Sequence, residues 1–224
     1  MEQVYPWTTI PSRFRINQED DQIAKHLAYC FERELLNRGE QVQDWPNVQE
    51  QFGLAAHFLG KRSCKTGLLV VGDEGTGKTA LLNAIVSVIE AYDRKGKETC
   101  PTGFKAGYDQ NRDSVMFSVC NFTAPLASES VMRRAFDQPV LVIDNFLSVD
   151  GGHFEDIDKG NALLARLLAD RNDRQLLTIL SANIDLPMHR KLMMNHIPEI
   201  LKKSYEIIDI DGIRAEGNMT MFYE

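Results

Sequence analysis

Residues Gly72-Asp-Glu-Gly-Thr-Gly-Lys-Thr79 follow the apolar run Gly67-Leu-Leu-Val-Val71 and precede Ala80-Leu-Leu-Asn-Ala-Ile-Val86. The eight residues match G-x-x-x-x-G-K-[ST], a phosphate-binding loop, in the setting its chemistry needs: a strand before it and an apolar helix after it. Glycines let successive backbone N–H groups turn inward around an anion. The N-terminus of the following helix adds partial positive charge at the same spot. The spacing therefore assigns Gly72, Asp73, Glu74, Gly75, Thr76, Gly77, Lys78, Thr79 and Ala80 to the binding of a nucleotide. Lys78 is placed to reach the β- and γ-phosphates, and Thr79 to offer its hydroxyl to Mg²⁺.

Working outward, strands and helices alternate. Gly67–Val71 reads as a strand and Lys78–Ala91 as a helix. Residues 92–113 are polar and read as a long surface loop. Val115–Asn121 is a predicted strand, Pro125–Phe136 a helix, and Val140–Asp144 a continuous apolar strand of the kind covered on both faces. A Gly151-Gly152 loop leads to a helix over about Phe154–Asp170, with Leu163, Leu164, Leu167 and Leu168 on one side. Leu176–Ser181 is another buried strand, Met188–Lys203 a helix and Glu206–Ile210 a strand, with residues 213–224 as a candidate edge strand. This alternation predicts a parallel sheet with helices on both faces and a ligand at the carboxyl ends of the strands.

Upstream, Ile23, Leu27, Phe31 and Leu35 recur every four residues. They predict a helix from Asn17, as its cap, to about Arg38, ended by Gly39. Pro46 suits the first position of a second helix through about Leu59. Residues 1–62 thus read as an extension with two helices packed on a core formed by residues 63–224.

The chain has 224 residues and a formal net charge of −7, which argues against bulk electrostatic coating by nucleic acid. Small basic groups remain, namely Arg13/Arg15, Lys61/Arg62/Lys65, Arg133/Arg134, Arg190/Lys191 and Lys202/Lys203. Singly they read as solvated surface, and they gain meaning only if several copies line one channel. The four cysteines, at 30, 64, 100 and 120, have neither metal nor redox spacing and fit a reducing cytoplasm. The five histidines do not cluster, no stretch approaches a membrane span, and the start of the chain has no signal-peptide pattern.

Two further strand ends complete the constellation. Leu141-Val-Ile-Asp144 sets a carboxylate where it can hold Mg²⁺ beside Thr79, although an aspartate there can also simply open a turn. Thr178-Ile-Leu-Ser-Ala-Asn183 ends in an amide able to touch a γ-phosphate or orient a water, because an amide both donates and accepts.

Together Gly72–Thr79, Leu141–Asp144 and Ser181–Asn183 resemble the AAA+ ATPases. Within them the chain is similar to the DnaC/IstB-like group of bacterial helicase loaders and transposition helpers, which Ile10-Pro-Ser-Arg-Phe14 also resembles. The resemblance covers about residues 10–215. It implies a three-layer α/β fold, an ASCE-like P-loop core without a C-terminal helical lid, carrying two N-terminal helices. It implies ATP and Mg²⁺ as ligands, with Thr79 and Asp144 on the metal and Lys78, Asp144, Asn145 and Asn183 in catalytic positions. It further implies an ATP-bound homo-oligomer, with a replicative helicase or transposase and single-stranded DNA as partners and no membrane.

The departures from that pattern bear on turnover. Asn145 stands where the group usually carries a second acidic residue. An amide can orient water but cannot take its proton, so hydrolysis is expected to be slow unless Glu74, Asp150 or Glu155 serves. Asn121, which resembles the group's polar link between partner and catalytic carboxylate, loses its counterpart with Asn145. The segment Pro198-Glu-Ile-Leu-Lys-Lys203 lacks the arginine that would reach a neighbouring subunit, leaving Lys202, Lys203, Arg171 and Arg174 as candidates, and after Gly212 the group's Ser and Arg fall out of register, with Arg214 close by. Two readings stay open: an ATPase assisting replication or transposition, and an ATP-binding switch that gates a protein contact with little turnover. Small-molecule kinases use the same loop, but residues 92–113, with Arg94 and Arg112, make a poor lid.

Overall fold

The computed structural model describes residues 14–40, 48–60, 63, 65–72, 75–93, 105–108, 114–118, 135–138, 140–144, 166–183 and 205–209. The elements are α1 (Asp20–Asn37), α2 (Val48–Leu59), β1 (Gly67–Gly72), α3 (Lys78–Asp93), β2 (Lys105–Tyr108), β3 (Ser114–Ser118), β4 (Val140–Asp144), β5 (Leu177–Asn183) and β6 (Tyr205–Asp209). Residues 135–137 and 166–173 are also helical.

The six strands form one sheet in the order β2-β3-β4-β5-β1-β6, and every neighbouring pair is parallel. From β1 the chain crosses through α3 to the far edge, returns strand by strand, fills the gap beside β1 with β5, and lands β6 on the other side. One strand, β5, therefore separates β1 from β4.

β1 and β4 are buried along their whole length, as their unbroken apolar runs require. The two-residue period sorts the side chains onto two faces. Leu68, Val70, Val140, Val142, Leu177 and Ile179 join the α1–α3 core. Leu69, Val71, Leu141, Ile143, Leu180 and Ala182 are buried on the alternate positions. Helical residues 166–173 lie on that second face, because Arg171 Nε donates to Thr178 Oγ1, between Leu177 and Ile179. The three-layer expectation holds.

α3 is apolar on more than one side, with Ala80, Leu81, Leu82, Ala84, Ile85, Val86, Val88 and Ile89 all buried. A helix of that kind needs cover on two faces. The sheet supplies one and α1 the other, using Ile23, Leu27, Phe31 and Leu35, the stripe predicted from sequence. Each fully buried side chain of this size contributes about 1.5–3 kcal/mol. Phe31 meets Phe52 of α2 edge-to-face at 5.4 Å, and Asn83 Nδ2 of α3 donates to Glu34 Oε1 of α1 at 2.8 Å. Phe14 and Ile16 are buried in the same core, with the Ile16 N–H bonded to the Leu59 carbonyl.

Gly39 ends α1 at φ +75°. The Glu40 N–H reaches the Leu35 carbonyl and the Gly39 N–H the Leu36 carbonyl, a Schellman pair that needs a residue tolerant of the left-handed region. Three expectations change. The residue before α1 is Glu19, without a side-chain cap bond, and not Asn17; Asp20 and Asp21 place negative charge in the first turn instead. Within the expected loop 92–113, residues 105–108 pair with β3 as an edge strand. β5 runs on to Asn183, past the expected end at Ser181. Of the expected helices Pro125–Phe136 and Phe154–Asp170 only 135–136 and 166–170 are described, and these are helical; the expected helix Met188–Lys203 and the strand at 213–224 lie outside the described residues.

Candidate functional site

The carboxyl ends of β1, β5 and β4 lie side by side. Gly72, the last residue of β1, is the register partner of Asn183, the last residue of β5, and Val70 pairs with Ser181. On the other side of β5, Ile143 pairs with Leu180, so Asp144 ends next to Ser181. The sheet thus brings together the three strand ends singled out from sequence.

After β1 the chain turns into α3. Gly75 has φ +79° and Gly77 φ +89°, values a side chain would strain. The first helical bond runs from the Leu81 N–H to the Gly77 carbonyl at 2.9 Å. Lys78 and Thr79 therefore stand in the first turn of α3, where backbone amides and the positive end of the helix dipole converge. Ala80 is buried behind them. Asp73, Glu74 and Asn145 lie outside the described residues, as do Asn121, Asp150, Glu155, Lys202, Lys203 and Arg214.

Three side chains connect at this point. Thr79 Oγ1 donates to Asp144 Oδ2 at 2.9 Å. Ser181 Oγ donates to the other carboxylate oxygen, Asp144 Oδ1. Lys78 Nζ donates to the Gly72 carbonyl at 2.9 Å, spanning the loop from its last turn to its first residue. Lys78 is 4% exposed, Asp144 5% and Ser181 0%. A carboxylate this buried is tolerable because both of its oxygens accept hydrogen bonds.

Thr79 and Asp144 also fit Mg²⁺. Their hydroxyl and carboxylate are hard oxygen donors in contact beside the loop, and the threonine oxygen keeps its lone pairs when its proton points at Asp144.

Sequence reasoning does not find the bond from Ser181 to Asp144. The available signal is a hydroxyl among the buried apolar residues of a strand, two positions before Asn183.

Arg171 is, by sequence, a candidate to reach a neighbouring subunit, and the structure overturns that. It is fully buried. Its guanidinium donates to Thr178 Oγ1 at 2.9 Å, to the Ala135 and Gln138 carbonyls at 2.8 Å each, and to the Leu177 carbonyl at 2.7 Å. Burial pushes it down to about 9, and four oxygen acceptors keep it protonated at neutral pH. Leu177 and Thr178 open β5, at the opposite end of that strand from Asn183. The pattern that betrays it is Leu164, Leu167, Leu168 and Arg171, an apolar stripe at helical spacing that the arginine continues. Arg174 is exposed and spans Asp137, Asp170 and the Phe136 carbonyl.

Strand order, loop and helix define a class of fold: a parallel α/β sheet in which a glycine-bearing turn leads from β1 into α3. Among solved structures the chain is similar to the DnaC helicase loader at 18% identity and a TM-score of 0.52, over 74% of this chain and 91% of that one. DnaI aligns at 19% identity and 0.47, over 73% and 81%. A replication initiator DnaA bound to AMPPCP and single-stranded DNA aligns at 13% and 0.48, over 78% of this chain and 51% of its own. By sequence, no family model and no curated protein matches the chain. Among the described residues no helix is long and apolar enough to cross a membrane.

Proposed function

We propose that this chain is an ATP-binding, AAA+-like ATPase that assists DNA replication by helicase loading, or assists transposition, through ATP-dependent assembly on DNA or on a helicase. The observation that carries the nucleotide part is the Thr79–Asp144 hydrogen bond. It puts two hard oxygen atoms in contact at the N-terminus of α3, beside Lys78, which supports the reading of a Mg²⁺ site there. The replication part draws on the fold shared with the DnaC helicase loader.

In this reading the amides of Gly75 to Ala80 hold the phosphates, and Lys78 leaves the Gly72 carbonyl for the β- and γ-phosphates. Mg²⁺, bound through Thr79 and Asp144, would neutralise phosphate charge. Asn183, beside Gly72 at the end of β5, takes the γ-phosphate or its attacking water. Asn145 directs the second reading, a switch that binds ATP and turns it over slowly, because it follows Asp144 where a general base would be useful.

Calorimetric titration of the full chain with ATP in Mg²⁺ tests the nucleotide part; no heat of binding refutes it. Immobilised chain locked with a non-hydrolysable ATP analogue is then offered a purified replicative helicase, a transposase and single-stranded DNA, with ADP as control. Nucleotide-dependent retention of the helicase supports loading, and retention of the transposase alone moves the assignment to transposition. Equal retention in both nucleotide states removes the ATP-gated contact that both readings share.

A further inference from the structure

The geometry points to Ser181 as a positioning residue for the metal: a buried hydroxyl on β5 that locks the Asp144 carboxylate in the orientation Mg²⁺ requires. This rests on the nucleotide reading above and extends it to a residue outside the phosphate loop and outside the strand that carries the carboxylate.

Asp144 sits at the last position of β4. A carboxylate held by one oxygen can still rotate about its terminal torsion, which is broad for aspartate. Here Thr79 Oγ1 donates to Oδ2 from α3, and Ser181 Oγ donates to Oδ1 from β5. Two donors on two oxygens, from two different elements, remove that rotation. Each oxygen keeps a second acceptor position for a metal-bound water.

The two donors differ in what they can do when a metal arrives. The Thr79 oxygen is itself a candidate ligand, so its geometry must serve metal and carboxylate together. Ser181 is fully buried, has Val70 of β1 as its strand partner, and is set by the sheet. It holds the carboxylate whatever happens at the loop. Hydrogen-bond partners of metal ligands commonly matter about 10–100-fold in metal affinity when removed.

The test compares wild type, Ser181→Ala and Ser181→Thr as full chains, titrating ATP in EDTA and then Mg²⁺ at fixed ATP, with calorimetry as the readout. Ser181→Ala is expected to bind ATP in EDTA like wild type, and to need about 10-fold more Mg²⁺ to reach half of the metal-dependent gain in affinity. Ser181→Thr keeps a hydroxyl and is expected to restore wild-type Mg²⁺ dependence. An unchanged Mg²⁺ midpoint in Ser181→Ala overturns the inference while leaving the nucleotide reading intact. Loss of ATP binding in EDTA assigns Ser181 a purely structural role and overturns it too. Failure of wild type to bind ATP at all sinks the nucleotide reading, and this inference with it. Should circular dichroism show Ser181→Ala unfolded, Ser181→Cys, which keeps the volume with a weak donor, takes its place: a raised Mg²⁺ midpoint supports the inference and an unchanged one overturns it.

Discussion

Thr79 and Asp144 are 65 positions apart in the chain and 2.9 Å apart in the fold, hydroxyl to carboxylate. That bond closes the loop-to-helix turn onto the end of β4. Lys78, one residue earlier, supplies the positive charge of the same corner and is as buried as Asp144.

Lys78→Ala is therefore expected to lose about 2–3 kcal/mol of ATP binding, on the order of 100-fold in affinity, the worth of charge-assisted hydrogen bonds in a buried site. Calorimetry with wild type as reference checks it. An unchanged affinity would remove Lys78 from the site.

Turnover is expected to be slow. With Asn145 after Asp144, the wild-type rate should fall well below the enzyme median of about 10 s⁻¹, and Asn145→Glu should raise it. Phosphate release measured at saturating ATP decides; a wild-type rate near that median shows that another group takes the proton.

Arg171→Met should destabilise the fold by about 3–5 kcal/mol, because it strands the acceptors that the guanidinium now fills. For a chain this size that corresponds to a melting shift of about 10 °C. Calorimetric melting gives the answer. A normal melting temperature combined with lost, assembly-dependent hydrolysis would instead return Arg171 to the trans-acting role.

Gly67 opens β1 opposite Tyr205 of β6, whose ring fills the space a Cβ at 67 would take. Gly67→Ala is expected to cost about 1–3 kcal/mol by overpacking. Combined with Tyr205→Ala it should cost less than the sum of the two single changes, since the second removes the clash. Denaturant unfolding of the four chains measures this, and strict additivity would disprove the contact.

The parts legible in the sequence share one property: local pattern and tertiary environment agree. Leu68 to Val71 and Leu141 to Ile143 are apolar because both faces of the sheet are covered, so their runs announce buried parallel strands. The α1 stripe at 23, 27, 31 and 35 matches the face it lays on α3. That Gly72, Asn183 and Asp144 share one edge follows from sequence, because a parallel sheet aligns its carboxyl ends; the order β1–β5–β4 that makes them neighbours is seen only in the structure. Other features carry no local pattern. Lys105-Ala-Gly-Tyr108 is too short and polar to announce a strand, and is one through its pairing with β3. Arg171 continues the apolar stripe of Leu164, Leu167 and Leu168 in sequence, but that stripe does not reveal the four carbonyl and hydroxyl oxygens that hold it. The role of Ser181 is hidden because its partner lies on another strand.

Placing β5 between β1 and β4 has a consequence for size. Neighbouring strands are spaced about 4.8 Å apart, so the backbone ends at Gly72 and Asp144 stand two spacings, about 10 Å, from one another. The sheet acts as a gauge block. Connecting segments can lengthen, shorten or change composition without altering the gap between the end of β1 and the carboxylate. Only a substitution that shifts the β1–β5–β4 registers would change it.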